Sequence, residues 1–158
     1  MTKEELQSAI SHMRDREFMS GTVREMSRIK STGECFTPTP LVQEILDLLP
    51  KDSFTDPTKT FLDPSCGDGQ FLSEVLIRKL ENGHGFKQAL STVFGVDIMQ
   101  DNVTLCRERL LCGKSEYSHI VEKNIVCHDG LTYGYEFNGT NFNDDELHKH
   151  TLFDNWGE

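Results

Sequence analysis

The chain has 158 residues, enough for one domain with a sizeable buried core. A formal net charge of −10 argues against a free-standing nucleic-acid binder, which carries a basic face. No apolar run approaches the roughly 18 residues that cross a bilayer, the opening MTKEELQSAI has no signal-peptide core, and the five cysteines form no Cys-x-x-Cys pair. Reduced thiols in a cytoplasmic protein are therefore expected, with no membrane contact and no zinc. The charge is uneven. Residues 1–30 hold six Lys/Arg against five Asp/Glu, whereas residues 115–158 hold two against nine. The C-terminal third is thus a poor candidate to touch a phosphate backbone.

Residues 3–30 read as helix, with Leu6, Ile10 and Met13, then Phe18, Met19, Val23, Met26 and Ile29 on its apolar side. Gly21 divides the run. Arg14, Arg16, Arg24, Arg28 and Lys30 decorate the other side, and the interleaved acids favour a solvated face over a partner surface. In STGECFTPTPLVQEILDLLP (31–50), Gly33 marks a turn, and Pro38 and Pro40 force an extended path around Thr37 and Thr39. Thr39 is the expected N-cap, with Pro40 first in a helix whose stripe is Leu41, Ile45 and Leu48, widened by Val42, Leu46 and Leu49. Residues 51–59 form a polar connector that turns at Asp56-Pro57.

Residues 61–72, FLDPSCGDGQFL, hold the strongest signal. A short apolar run is stopped by Asp63-Pro64; small residues Ser65, Gly67 and Gly69 follow, and an amphipathic helix begins near Phe71. Strand, glycine turn and helix make the start of a βαβ unit. Such a turn lets a ligand approach the backbone, and the new helix aims its free N–H groups at the same place. Leu72, Val75, Leu76 and Leu80 continue the helix, which Gly83 and Gly85 end; Phe86, Ala89 and Leu90 suggest a short helix after it.

Val93, Phe94, Val96 and Ile98 predict a second buried strand broken at Asp97, with Asp101 or Asn102 capping the helix that carries Val103, Cys106, Leu110 and Leu111. A carboxylate at the end of the second strand suits ribose hydroxyls. Asp97 lies 34 residues after Asp63 and the turn lacks G-x-G-x-x-G, which disfavours a nicotinamide cofactor. Residues 114–119 read as a polar loop. A third strand, Asn124 to Cys127, ends at His128-Asp129-Gly130, the third acidic stop at one edge of the sheet. From Gly134 the chain is polar and acidic. It holds either a hairpin turning at Asn138-Gly139 or a loop. His148 and His150 have no evident third metal ligand.

Together these pieces resemble the N-terminal half of a class I S-adenosylmethionine-dependent methyltransferase. The closest type is the adenine-N(6) DNA methyltransferases of the gamma arrangement, including modification subunits of type I restriction systems. Gly33, Phe36, Thr37, Pro38, Leu41 and Val42 match the family's G-x-x-F-T-P-x-x-L-V stretch. Asp63, Pro64, Cys66, Gly67, Gly69, Phe71 and Leu72 match its D-P-x-C-G-x-G-x-F-L motif. Gly95 to Ile98 and His128 to Leu131 match motifs II and III.

The resemblance, over about residues 31–132, implies an α/β fold: a three-layer Rossmann-like sandwich truncated after its third or fourth strand. An N-terminal helical extension (1–30) would precede the core (31–133), and an acidic tail or loop (134–158) would follow it. It also implies S-adenosylmethionine as cofactor. Phe36, Thr37 and Pro38 would meet the methionine end, and Asp63 its amino group. Ser65, Cys66, Gly67, Gly69 and Phe71 would form the turn. Asp97 would take the ribose hydroxyls and Asp129 the adenine amino group, beside Gly130, with Ile98 and Leu131 flanking the ring. The family's (D/N)-P-P-(Y/F) catalytic motif has no counterpart, since no proline follows Pro64. Leu152-Phe153-Asp154 only resembles the strand leading to it, and the target-recognition region is missing too. A second chain carrying the motif and the DNA contacts is therefore expected, in a homo- or hetero-oligomer, with an exposed sheet edge available for pairing. The other reading is a non-catalytic methyltransferase-like protein that acts by occupying a partner.

Overall fold

The computed structural model describes residues 1–14 and 37–137. Phe36, Gly21, Gly33, Asn138-Gly139, His148, His150 and residues 152–154 lie outside them. In chain order the elements are α1 (Lys3–Arg14), α2 (Thr39–Asp47), α3 (Asp52–Thr55), β1 (Phe61–Asp63), α4 (Gln70–Glu81), α5 (Phe86–Leu90), β2 (Val93–Asp97), α6 (Gln100–Leu111), a 3-10 turn (Ser115–Tyr117), α7 (Ser118–Asn124) and β3 (Ile125–Cys127). The strands form a parallel sheet in the order β1-β2-β3. Parallel neighbours require crossovers, and the helices between the strands supply them.

The register decides what each face of the sheet carries. Phe61 pairs with Val93, Asp63 with Gly95, Gly95 with Ile125 and Asp97 with Cys127, so these residues share one face. That face packs on the main core, where Val93, Ile125 and Cys127 meet Leu72, Val75, Leu76, Val103, Cys106 and Leu110 of α4 and α6. Leu62, Phe94, Val96 and Val126 share the opposite face. There Val96 and Val126 pack with Tyr133 and Phe137, and the Phe94 ring lies 4.8 Å from that of Phe137. Leu62 is 49 % exposed. The described residues therefore build a mixed α/β unit with helices over one face. Of the expected third layer they contain the Tyr133–Phe137 segment.

Local expectations fare unevenly. The turn after β1, the α4 stripe, short α5 and the break at Asp97 appear as expected. Thr39 does not cap α2. Pro38 is the N-cap, extended at φ −58° and ψ 142°, and Thr39 is the first helical residue. Its hydroxyl is committed elsewhere, accepting from Gln70 Nε2 at 2.6 Å. Neither Asp101 nor Asn102 caps α6, which follows Met99; Asn102 turns back toward Asp97. Part of the expected loop at 114–119 is a 3-10 turn running into α7, so β3 begins at Ile125 and Asn124 closes the helix. Buried Asn124 donates to the carbonyl of Val93 at 3.1 Å, a contact across the fold that local spacing does not reveal.

The first helix is part of the same packing. Thr2 and Glu5 form a reciprocal cap: the Thr2 hydroxyl accepts the Glu5 N–H at 3.1 Å, and the Glu5 carboxylate accepts the Thr2 N–H at 2.8 Å. Ala9 and Met13 enter the main core. The next residue, Arg14, grips Glu74 of α4 with both prongs, Nε and Nη2 each donating over 2.9 Å. Gln43 Nε2 of α2 donates to the same carboxylate at 3.1 Å. Glu74 is 1 % exposed, so a buried charge holds three helices at one point. The pairing raises the Arg14 pKa above its ordinary value through the bond to Glu74. Arg14→Met should destabilise the fold by about 1–2 kcal/mol, the lower part of the range for a charged hydrogen bond because Arg14 is partly solvated. The double variant Arg14→Met/Glu74→Leu should recover most of that loss, since it leaves no buried charge unpaired. Urea unfolding of the single and double variants measures both.

Candidate functional site

The site is assembled from the carboxyl ends of the strands. At the end of β1, Asp63 Oδ1 accepts the Ser65 N–H at 3.0 Å, a side-chain turn that sends the chain back across the sheet. The turn is then pinned to β2, because Cys66 N–H donates to the Val96 carbonyl at 2.9 Å. Gly67 and Gly69 take left-handed φ values of 52° and 89°, a conformation side chains disfavour. Space imposes glycine as well: a Cβ on Gly69 would stand 2.7 Å from Cys106 Sγ. Helix α4 starts at the next residue.

Asp97, closing β2, is the hub. Its Oδ2 accepts the Gly67 N–H at 2.9 Å, and its Oδ1 accepts the Met99 N–H at 2.9 Å and Asn102 Nδ2 at 3.2 Å. Its backbone carbonyl accepts the His128 N–H at 2.9 Å, which fastens β3's exit loop. In that loop Asp129 Oδ1 accepts the Leu131 N–H at 2.8 Å, and the Tyr135 hydroxyl donates to the Gly130 carbonyl. Gly130 lies flat against the turn after β1, where any Cβ would overlap the Pro64 carbonyl oxygen. The three strand ends are thus in direct contact through backbone.

The electrostatics are those of two neighbouring carboxylates, Asp63 and Asp97. Burial raises the Asp63 pKa, the Ser65 N–H opposes this, and the nearby Asp97 carboxylate raises it further. The Cys66 thiol is pushed well up, first by its bond with Cys106 and then by burial, so it stays protonated and inert. A cationic ligand placed here would relieve the repulsion between the two carboxylates.

Asp63, Ser65, Cys66, Gly67, Gly69, Asp97, Asp129 and Gly130 are all brought together in this way. Thr37 is half-buried and Pro38 exposed at the start of α2, which is tied to the turn through Thr39 and Gln70. Phe71 packs against the main core, Ile98 is half-buried after β2, and Leu131 is 72 % exposed. Sequence reasoning gave Gly95 no role beyond its place in motif II, yet a Cβ added there would meet Leu72 Cδ1 at 2.8 Å and Cys66 Sγ at 2.9 Å. It also missed Asn102, Asp68, Gln70 and Arg109. Arg109 did leave a signal: three residues after Cys106, it falls on the apolar stripe of α6, where a charge must be paired. A separate open depression of about 660 Å³, lined by Phe86, Thr92 and Tyr117 among others, sits at the opposite, amino end of β2.

Residues 21–144 match the family described as N-6 DNA Methylase. Over 106 residues the chain is 35 % identical to "Type II methyltransferase M.VspI" of Vibrio sp. (strain 343), a match covering 66 % of this chain and 22 % of that protein. The chain therefore spans about a fifth of the length of this relative. No solved structure matches.

Two outcomes follow from the geometry. Folding raises the Asp63 pKa, so its contribution to stability is fully present below the ordinary carboxylate value and is lost as pH rises through the folded-state value. Asp63→Asn, which keeps the acceptor for Ser65, should melt higher than wild type at about pH 7 without ligand, and the two melting curves should converge toward about pH 4. Gly130→Ala should destabilise the protein by about 1–3 kcal/mol through overlap with Pro64, measured by urea unfolding.

Proposed function

Because the chain belongs to the N-6 DNA methylase family, we propose that these residues are the S-adenosylmethionine-binding portion of a DNA adenine methyltransferase. We propose further that methyl transfer needs a second chain, which supplies the catalytic motif and the DNA contacts. The observation that carries the first part is the meeting of Asp63 and Asp97 across a glycine turn, with Asp63 raised by burial and by its neighbour's charge. The ligand chemistry fits this recess: an ammonium and a sulfonium at one end, ribose hydroxyls in the middle and an adenine at the other. S-adenosylmethionine, when bound, supplies an electrophilic methyl group.

Each residue then has a task. Asp63 receives the ammonium. Asp97 receives the ribose hydroxyls as a charged acceptor. Asp129 keeps Oδ1 on Leu131 N–H and offers Oδ2 to the adenine amino group. Ile98 and Leu131 flank the adenine ring, and Leu131 changes from exposed to covered as it does so. Phe36, Thr37 and Pro38 close over the methionine end, while Gly67 and Gly69 let the ligand lie against the backbone. The chain has no D/N-P-P-Y/F stretch to hold a flipped adenine. The same observation favours a second reading, a methyltransferase-like binding protein without activity.

Calorimetry with S-adenosylmethionine tests the first part. Wild type should bind, and Asp97→Asn should bind at least about tenfold more weakly through loss of a charged acceptor worth roughly 1.5–3 kcal/mol. Unchanged affinity in Asp97→Asn would refute the ribose assignment, and no binding by folded wild type would refute the cofactor site. Labelled methyl transfer to DNA, measured with the chain alone and with any co-purifying subunit, separates the two readings of activity. Transfer only with the subunit supports the split enzyme; binding without transfer in either case supports the non-catalytic protein.

A further inference from the structure

A hydrogen-bonded relay, largely buried, runs from the glycine turn into the helices packed around it. Asp68, between the two turn glycines, faces inward and pairs with Arg109 of α6, Nη2 to Oδ2 at 3.0 Å, with side chains 6 % and 3 % exposed. Arg109 Nη1 donates to Gln70 Oε1 at 2.9 Å. Gln70 Nε2 donates to Thr39 Oγ1 at 2.6 Å. The order is chemically fixed: the guanidinium only donates, so it takes the amide oxygen of Gln70 and leaves the NH₂ for the hydroxyl. Four side chains thus join the turn, the first residue of α4, the last turn of α6 and the first residue of α2. Thr39 follows Thr37 and Pro38 by only a few atoms, so the relay ends at the stretch proposed to cover the methionine end.

We propose that Arg109 is a positioning residue. Its fork holds Asp68 and Gln70 at once and so fixes the Gly67–Gly69 turn relative to the Thr37–Thr39 segment, making the two walls of the cofactor recess one rigid body. A lysine cannot replace it, because an ammonium is a single point of attachment without the planar fork. The relay touches no ligand. It acts by keeping the Gly67 N–H on Asp97 and the Thr37 backbone at a constant separation. Its pocket-related role rests on the cofactor reading above, whereas the coupling of the two segments stands without it.

The test uses the whole chain and two readouts. Amide hydrogen exchange at Gly67 and Gly69 is followed by NMR in the ligand-free protein, and S-adenosylmethionine affinity is measured by calorimetry. Thr39→Val removes one bond at a half-buried surface position and should still fold. Thr39→Ser retains the hydroxyl, Arg109→Lys retains the charge, and Val121→Ala in α7 is a core control. Expected is exchange at Gly67 and Gly69 at least about fivefold faster in Thr39→Val and Arg109→Lys, after correction for global stability. Affinity should be weakened at least about threefold in both, with wild-type behaviour in Thr39→Ser and Val121→Ala. Exchange in Thr39→Val or Arg109→Lys that matches wild type after the correction overturns the proposal. If wild type binds no ligand, the cofactor reading fails while exchange alone still decides the coupling.

Discussion

A single carboxylate ties this half-sheet together. Asp97 is buried at the end of β2, and three donors from different parts of the chain converge on it: the Gly67 N–H, the Met99 N–H and the Asn102 amide. Each is a group that would otherwise lose its partner on burial, so the carboxylate satisfies the turn after β1 and the start of α6 together. A neutral side chain of the same length would present a donor toward donors. The requirement for a charge is therefore structural before it is functional. The residue proposed above for a ribose is also the one that fixes the strand ends around it.

Buried ions recur where elements must keep a fixed relation. Glu74 collects Arg14 and Gln43, and Arg109 collects Asp68 and Gln70. In each case an arginine fork or a carboxylate makes directional bonds among helices whose apolar contacts alone would tolerate sliding. The two clusters are anchored in α4, the helix that starts at the glycine turn. This helix contributes buried polar residues Gln70, Ser73, Glu74 and Lys79 amid Leu72, Val75, Leu76 and Ile77. It is less a simple amphipathic helix than the spine to which α1, α2 and α6 are bolted.

That distinction explains how much was legible in the sequence. The strand–turn–helix at 61–81 and the strand ending at Asp97 could be read because apolar spacing, glycine and an acidic stop act over a few neighbours. The positions of Asp63, Asp97 and Asp129 at one edge followed from parallel strands alone. Thr39 looked like a cap because its local context is that of a cap; a glutamine thirty-one positions away claims its hydroxyl instead. The segment 118–124 has an adjacent apolar pair, Ile120-Val121, rather than a stripe, and its last residue, Asn124, bonds the distant carbonyls of Ser91 and Val93. The partners of Arg109, Asp68 and Glu74 lie 31 to 60 positions distant, and local spacing does not name them. Short-range physics was visible and long-range pairing of polar groups was not.

Beneath the glycine turn, four residues share one small volume. Cys66 and Cys106 are both buried here, the Cys66 thiol donates to the Gly67 carbonyl, Gly69 abuts the Cys106 sulfur, and Gly95 abuts that of Cys66. No single one of them has room to grow, so evolutionary change here must be concerted. A side chain at position 95 demands that both Leu72 and Cys66 yield, while position 69 is held to glycine by its φ of 89° as well as by Cys106. Position 95 can therefore change only together with positions 66 and 72, which makes this joint the place where exchanging one segment of the core for another meets resistance first.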